Sequence, residues 1–238
     1  MPGRFHELSV STPDIRASIE FYEGLGLWQA PTSDVWPHPY GVVTDGRIAL
    51  GLHETPDFAA LTFIDTDIAA VADSLSAAAV PLRLRQTDPE VFNQIEFDDP
   101  AGHKIRMLAA RTFSPADRPE EHSSRLGYFA HYSMPAREPS PVAGFWEALG
   151  FVAMPQEEEP YAHQSLTSDG IDLALHSPRL LPAPALVFCE EDMAIRIEHL
   201  RHSGVAFDSS LPRGLAARGT ALIEAPEGTL LLLMTGSL

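Results

Sequence analysis

Two histidines on predicted β-strands are the first candidates for chemistry in this sequence. His6 interrupts the alternating segment FHELSV, and His131 lies in the similar segment FAHYSM. A histidine in such a place can bind a metal ion, accept a proton as a general base, or make hydrogen bonds inside the protein. Because a lone histidine rarely holds a metal usefully, the sequence favours a neutral binding contact, or the remnant of a lost site, over a metal ligand.

Three aromatic residues follow the first predicted helix in a segment rich in proline. Trp28, Trp36 and Tyr40 could stack against a flat or cationic ligand, since aromatic faces attract both. Ordinary core and loop packing explains them equally well. Cys189 is a poor candidate nucleophile, because the acidic residues 190–192 that follow it would raise the pKa of its thiol.

The stretch that begins at Phe5 predicts a strand followed by a helix. Ser11 or Thr12 is predicted to be the N-cap of the helix, with Pro13 at the first helical position. An Asp-Gly pair then predicts a tight turn between two strands, at 40–44 and 47–53. The sequence therefore predicts a module of one strand, one helix and three strands.

A second module starts at Ala60, and Asp67 is predicted to cap its helix. Both modules recur in the second half of the chain at an offset of 123 to 126 residues. LeuGlyLeu at 25–27 matches LeuGlyPhe at 149–151, two related Asp-Gly segments end at His53 and His176, and His6 is matched with His131. Self-similarity of this kind indicates four copies of one supersecondary unit. It predicts a first domain over 1–110, a linker over 111–125 and a second domain over 126–238.

Composition restricts the partners that this chain can have. The formal net charge is −17, from 33 acidic and 16 basic residues. Such a field repels nucleic acid and anionic membranes and attracts cationic small molecules, although it also serves solubility. One cysteine excludes an internal disulfide, no signal-peptide pattern appears, and the longest apolar run, 230–234, is too short to span a bilayer. We expect a cytoplasmic monomer or homodimer that binds a small molecule, not nucleic acid or membrane.

The sequence resembles the vicinal oxygen chelate superfamily, which includes glyoxalase I, extradiol dioxygenases, fosfomycin-modifying enzymes and bleomycin resistance proteins. The first-helix stretch closing in FYEGLGL, the Asp-Gly hairpin and the ending DPAGHKIRML carry this resemblance. It implies an α+β fold with four βαβββ modules in two glyoxalase-like domains, each curled around a cavity. The same fold hosts both metal enzymes and metal-free binding proteins, so the resemblance alone does not decide between them.

The resemblance also implies metal-ligand positions on the first and last strands of the modules. In the first half these positions fall on His6, Ala49, Ala60 or a neighbour, and Arg106. Of these residues, the histidine is the one usual metal ligand. In the second half two are usual ligands: His131, Asp172, Pro184 or Ala185, and Leu232. A facial triad needs three protein ligands. We therefore expect no metal in the first half and at most a weak site at His131 and Asp172, which leaves a divalent metal open as a cofactor.

Two functional hypotheses follow. The first is a metal-free binding protein whose ligand contacts His6, Trp36, Tyr40 and Arg106 in the first cavity. A buried Arg106 needs an anion: with Glu96 or Glu7 as its partner the site would be neutral and suit a cationic aromatic ligand, whereas without them the ligand would supply the anion. The alternative is an enzyme of the same superfamily, of dioxygenase, lyase or isomerase type, which uses an atypical metal site or acid–base chemistry at His6.

Overall fold

The computed structural model describes residues 3–32, 34–110, 124–208, 211–212, 215 and 219–236. The predicted linker over 111–125 lies outside the described residues except for its last two positions. Each of the four described helices has ten residues, and none among the described residues is long and apolar enough to cross a membrane.

The elements follow the predicted modular order in both halves. In the first half the described elements are β1 (Arg4–Ser11), α1 (Ile15–Gly24), β2 (Trp28–Ala30), β3 (Tyr40–Thr44), β4 (Ala49–His53), β5 (Ala60–Asp65), α2 (Ile68–Ala77), β6 (Leu82–Gln86), β7 (Gln94–Asp98) and β8 (Lys104–Ala109). In the second half they are β9 (Tyr128–Pro135), α3 (Pro139–Ala148), β10 (Val152–Glu157), β11 (His163–Thr167), β12 (Leu173–His176), β13 (Ala185–Glu190), α4 (Met193–His202), β14 (Ala221–Glu224) and β15 (Leu230–Thr235).

Each half forms one mixed sheet with the same strand order. The first sheet runs β2-β3-β4-β1-β5-β8-β7-β6, and the second runs β10-β11-β12-β9-β13-β15-β14. The predicted α+β class and its repeated modules are therefore confirmed. The fourth module departs from the pattern, because the described residues between α4 and β14 contain no counterpart of β6.

The start of α1 differs from the sequence prediction. Asp14, rather than Ser11 or Thr12, is the N-cap, and its carboxylate accepts hydrogen bonds from the backbone N–H groups of Arg16 and Ala17. Pro13 precedes the helix instead of occupying its first position. An aspartate satisfies the free N–H groups of the first turn as well as serine or threonine does, so the sequence offered competing caps. The predicted cap of α2, Asp67, is confirmed by its hydrogen bond from the N–H of Ala70.

The main hydrophobic core is shared by the two halves. Trp146 of α3 is fully buried, and its ring lies 6.3 Å from that of Phe63 on β5, between ring centroids. Phe145 lies at the same centroid distance from Phe97 on β7. The indole N–H of Trp146 also donates to Asp99 Oδ2 at 3.2 Å. Helix α3 of the second half therefore packs directly against the first sheet.

Candidate functional site

A cavity of about 1370 Å³ opens in the first half of the chain. Its walls come mainly from strands of the first sheet and from the loop between β2 and β3, and Asp169 and Gly170 of the second half also line it. All four residues predicted to contact a ligand line it: His6, Trp36, Tyr40 and Arg106. Trp28, the third aromatic residue singled out by the sequence, lines it as well.

A β-bulge in β1 brings two neighbouring residues to this cavity. Phe5 pairs with Phe63 and Glu7 pairs with Thr62, so His6 has no partner residue on β5. In a regular strand His6 and Glu7 would point to opposite faces, but a bulge interrupts that alternation. Both residues line the cavity. The His6 ring is partly exposed, and its Nε2 lies 3.2 Å from Asp34 Oδ2.

Glu7 is a buried carboxylate surrounded by hydrogen-bond donors. It receives hydrogen bonds from Ser9 Oγ at 2.8 Å, from Tyr40 OH at 2.6 Å and from His53 Nε2 at 3.0 Å. Burial by itself would raise the pKa of Glu7, but the bonds from His53 and Tyr40 and the nearby His6 lower it below its ordinary value. Glu7 therefore carries a negative charge, and burial together with that charge raises the pKa of the Tyr40 phenol.

The hydrogen bonds continue from His53 to a third side chain at the cavity. His38 Nε2 lies 2.9 Å from His53 Nδ1, and His38 lines the cavity whereas His53 is fully buried. Burial lowers the pKa of His38, and the nearby His53 and Arg106 lower it further. Glu7, His53 and His38 thus form a continuous chain from a buried carboxylate to the cavity wall, which we call the Glu7–His53–His38 relay.

Aromatic rings pack around this relay. The Trp36 ring stacks on His38 with centroids 5.9 Å apart, and the Phe58 ring lies 4.0 Å from His53. The indole Nε1 of Trp36 is buried and has no hydrogen-bond partner among the described residues. An unpaired buried donor costs roughly 1–3 kcal/mol, and an acceptor atom on a bound molecule would relieve that cost.

Arg106 is only 2% exposed, and its charge is met within the protein. Its Nη2 lies 2.6 Å from Glu96 Oε1, and its Nε donates to the same oxygen at 2.8 Å. Its Nη1 donates to the carbonyl of Phe58 at 3.0 Å, and the guanidinium lies 3.6 Å from the centroid of the Phe58 ring. Of the two internal partners considered for Arg106, Glu96 is the one observed.

Strand register corrects the match between the two halves. Glu7 pairs with Thr62, which pairs with Arg106, and His131 pairs with Val187, which pairs with Leu232. The counterpart of His131 is therefore Glu7, not His6. The second-module positions fall on Thr62 and Val187 rather than at Ala60 and at Pro184 or Ala185. The bulge at His6 in β1 recurs at Ala130 in β9, so the same offset of 124 residues holds along both strands.

The donors at these positions do not suit a metal ion. In the first half the four positions hold Glu7, Ala49, Thr62 and the guanidinium of Arg106. In the second half His131 is buried and hydrogen-bonded to Tyr161 OH at 2.6 Å, whereas the Asp172 side chain is exposed. Among the residues that the structure describes, no group of three or more His, Cys, Asp or Glu side chains could hold a metal.

The corresponding interior of the second half is filled by side chains. A second core cluster there includes Tyr161, Val187 and Leu232. Tyr161 OH also donates to Ser133 Oγ, which bonds to His176 Nδ1 at 2.7 Å. Burial, with the neighbouring histidines, lowers the pKa of His131 to about 3, and burial is also the main cause that lowers the pKa of His176 to about 4. These neutral side chains complete a packed polar interior.

Sequence reasoning missed the relay. It considered Glu7 only as a possible partner for Arg106, named His53 only as the end of a repeated segment, and did not single out His38. A usable signal was present, because counting from Phe5 and Phe129 gives an offset of 124 and matches Glu7 with His131. The contact between His38 and His53 has no comparable signal, since a loop residue reaches a strand end.

Comparison with solved structures shows that other proteins share this arrangement of paired βαβββ modules, so the fold expected from the sequence is confirmed. The chain is similar to a catechol 2,3-dioxygenase, with a TM-score of 0.61 and 14% identity over 100% of this chain and 89% of the other. It is also similar to an E323L mutant of homoprotocatechuate 2,3-dioxygenase from Brevibacterium fuscum, with a TM-score of 0.64 and 16% identity over 99% and 71% of the two chains. The homoprotocatechuate 2,3-dioxygenase from Arthrobacter globiformis matches with a TM-score of 0.60 and 14% identity over 98% and 80%.

No family model matches the sequence, and no curated protein matches it significantly. At identities this low, the structural likeness establishes the fold and leaves activity to the chemistry of the site.

Proposed function

We propose that the protein binds a small, flat organic molecule in the first-half cavity without the metal ion used by the metal enzymes of its superfamily. One observation carries this proposal. The cavity is open and lined by aromatic rings, while Ala49, Thr62 and the Glu96-paired Arg106 occupy three of the four positions from which metal enzymes of this superfamily supply ligands. None of these three groups supplies a usual ligand for a divalent cation.

The charge of the cavity favours a neutral or cationic ligand over an anion. Among the residues that the structure describes, five carboxylate side chains and three guanidinium groups line it. Arg106, the most deeply buried of the three, already has its anion in Glu96. The net charge of −17 would further concentrate cations near the opening.

A charge-matched panel tests this proposal. Benzylammonium, benzyl alcohol and benzoate have similar size, and we expect the first two to bind the wild type more tightly than benzoate does. In Arg106→Leu, Glu96 loses its partner, so the preference for the cation should increase. Arg16→Leu is the control, since the Arg16 side chain is 87% exposed on α1. Tight binding of benzoate that Arg106→Leu abolishes would contradict the proposal.

Metal analysis of protein purified without chelator is a second, independent test. We expect no transition metal in stoichiometric amount. Stoichiometric iron, manganese, nickel or zinc would contradict the metal-free part of the proposal.

The second candidate is an enzyme of the same superfamily, of dioxygenase, lyase or isomerase type. The Glu7–His53–His38 relay favours it, because a histidine held by a buried carboxylate can accept and return a proton. Incubating bound ligands with the protein in D₂O and measuring deuterium uptake by mass spectrometry tests it. Uptake lost in His38→Phe would assign proton transfer to the relay, and uptake lost only in His6→Phe would assign it to the residue first suggested by the sequence. The boundaries of the two domains and the cytoplasmic location stay predictions.

A further inference from the structure

The Glu7 carboxylate determines where the protons lie in the relay. A carboxylate is only an acceptor, so the three groups that contact it must all donate. Ser9 Oγ–H is then used on Glu7, and Ser9 accepts from Thr62 Oγ1, 2.7 Å away. In the same way His53 must carry its proton on Nε2, the atom 3.0 Å from Glu7 Oε1.

The proton position on His53 also determines which nitrogen of His38 carries a proton. When the buried His53 carries only the proton on Nε2 that Glu7 requires, its Nδ1 has a lone pair, and His38 Nε2, at 2.9 Å, is then the donor between them. The neutral His38 ring then has its lone pair on Nδ1. That atom is the remaining polar atom of a ring that lines the cavity.

The surroundings keep His38 neutral near pH 7. The charged and titratable groups around it are His53 from β4, Arg106 from β8, and Asp34 with its partner His6 at the same cavity wall, with Glu7 behind His53. Burial, His53 and Arg106 act in the same direction and lower the pKa of His38. An unprotonated His38 is therefore the ordinary state at neutral pH.

We propose that His38 Nδ1 is the hydrogen-bond acceptor that selects the ligand, and that the ligand is a flat organic cation with an N–H donor, such as a protonated amine. This inference rests on the proposed function, which places the ligand in the first cavity. The excess of carboxylates over guanidinium groups favours the positive charge, the aromatic rings favour the flat skeleton, and the neutral acceptor requires the N–H.

Protonation of His38 makes ligand binding depend on pH. Protonation of His38 replaces the lone pair with a donor and adds a positive charge near Arg106. Affinity for the ammonium ligand is therefore full above the pKa of His38 and falls as the pH drops through that pKa, which lies below the ordinary value of about 6.5.

A ligand-free measurement tests the acceptor directly. Long-range ¹⁵N–¹H correlation spectra of protein labelled with ¹⁵N-histidine distinguish the two tautomers, and His38→Phe assigns the signal. We expect a proton on Nε2 of His38 and none on Nδ1, with a pKa below the ordinary value of about 6.5. A proton on Nδ1 at neutral pH would overturn the inference whether or not any ligand binds.

A matched pair of cations tests the selection. Benzylammonium has N–H groups and benzyltrimethylammonium has none. At about pH 8, where His38 is neutral, we expect the wild type to bind the first at least about tenfold more tightly, the ratio that one charge-assisted hydrogen bond provides. His38→Phe keeps a flat ring and should bind both equally.

The outcomes separate the two proposals. Equal binding of both cations by the wild type overturns the selection by His38 but supports a ligand site in the cavity. If neither cation nor benzyl alcohol binds, the proposed function fails and the selection by His38 fails with it. The tautomer measurement then shows whether the proton arrangement in the relay was correct.

Discussion

Glu7 and His131 occupy equivalent positions in the two sheets, and their surroundings hold them in opposite states. Glu7 is charged because His53, Tyr40 and Ser9 donate to it. His131 is neutral because burial lowers the pKa of its ring to about 3. One position of the repeat thus contributes a charge next to an open cavity in the first half and a neutral group to a packed interior in the second.

This difference predicts acid sensitivity for the second half. The pKa of His131 is about 3 and that of His176 about 4 in the folded protein, against about 6.5 in an unfolded chain. Between these values the unfolded chain binds more protons, so the free energy of unfolding decreases as the pH falls below about 6.5. Each histidine contributes up to about 1.4 kcal/mol per pH unit in that window.

Urea unfolding of wild type and His131→Gln at several pH values between about 7 and 5 measures this contribution. We expect a smaller slope of stability against pH in the variant. His199→Gln, at an exposed position on α4, is the control and should keep the wild-type slope. A wild-type slope in His131→Gln would show that His131 does not stay neutral in the folded protein.

At the scale of elements, the parallel pairing of β1 with β4 positions the relay. Ser9 pairs with Gly51, and Ser11 pairs with His53. A Cβ atom at Gly51 would lie 2.1 Å from the carboxylate of Glu7. Glycine is therefore required here because the Glu7 side chain lies directly against the backbone of β4.

Gly51→Ala should displace the Glu7 carboxylate and lower the free energy of unfolding by about 2 kcal/mol, in the range of other overpacked sites. Gly144→Ala is the matched substitution, because Gly144 is exposed within α3 and a Cβ there meets nothing within 4 Å. It should raise stability by roughly 0.5–1 kcal/mol, since alanine favours a helix over glycine. Urea unfolding of both variants checks the prediction, and equal stabilities would contradict it.

At the scale of the whole molecule, polar contacts join the two halves beside their shared core. Glu227, just before β15, accepts from Tyr22 OH at 2.6 Å and from Ser18 Oγ at 2.8 Å, and both donors belong to α1. Tyr22 and Ser18 are fully buried. The two halves therefore depend on each other for burial and for hydrogen bonds.

We expect the protein to unfold in one transition, the same by tryptophan fluorescence and by circular dichroism. Glu227→Ala should lower the free energy of unfolding by about 1–3 kcal/mol, because it removes the carboxylate that accepts from two buried hydroxyls. Glu224→Ala, at an exposed position on β14, should change it by less than about 0.5 kcal/mol. Two separate transitions would show that the halves are independently stable.

The sequence by itself determined the features that depend on neighbours in the chain. The Asp-Gly turn between β3 and β4, the cap at Asp67 and the repeated module order are local patterns, and they led to the correct fold class. The four predicted ligand contacts line one cavity because the resemblance supplied the strand arrangement.

Only the tertiary structure decided which side chains in and beside that cavity contact one another. The bulge that lets both His6 and Glu7 line the cavity depends on pairing with β5, a strand more than 50 positions further along the chain. The partner of Arg106 depends on the register between β7 and β8, and the contact of His38 with His53 depends on the path of a loop across a strand end. Such contacts depend on sheet register and loop path, because a shift of one residue in a strand exchanges the faces to which its side chains point.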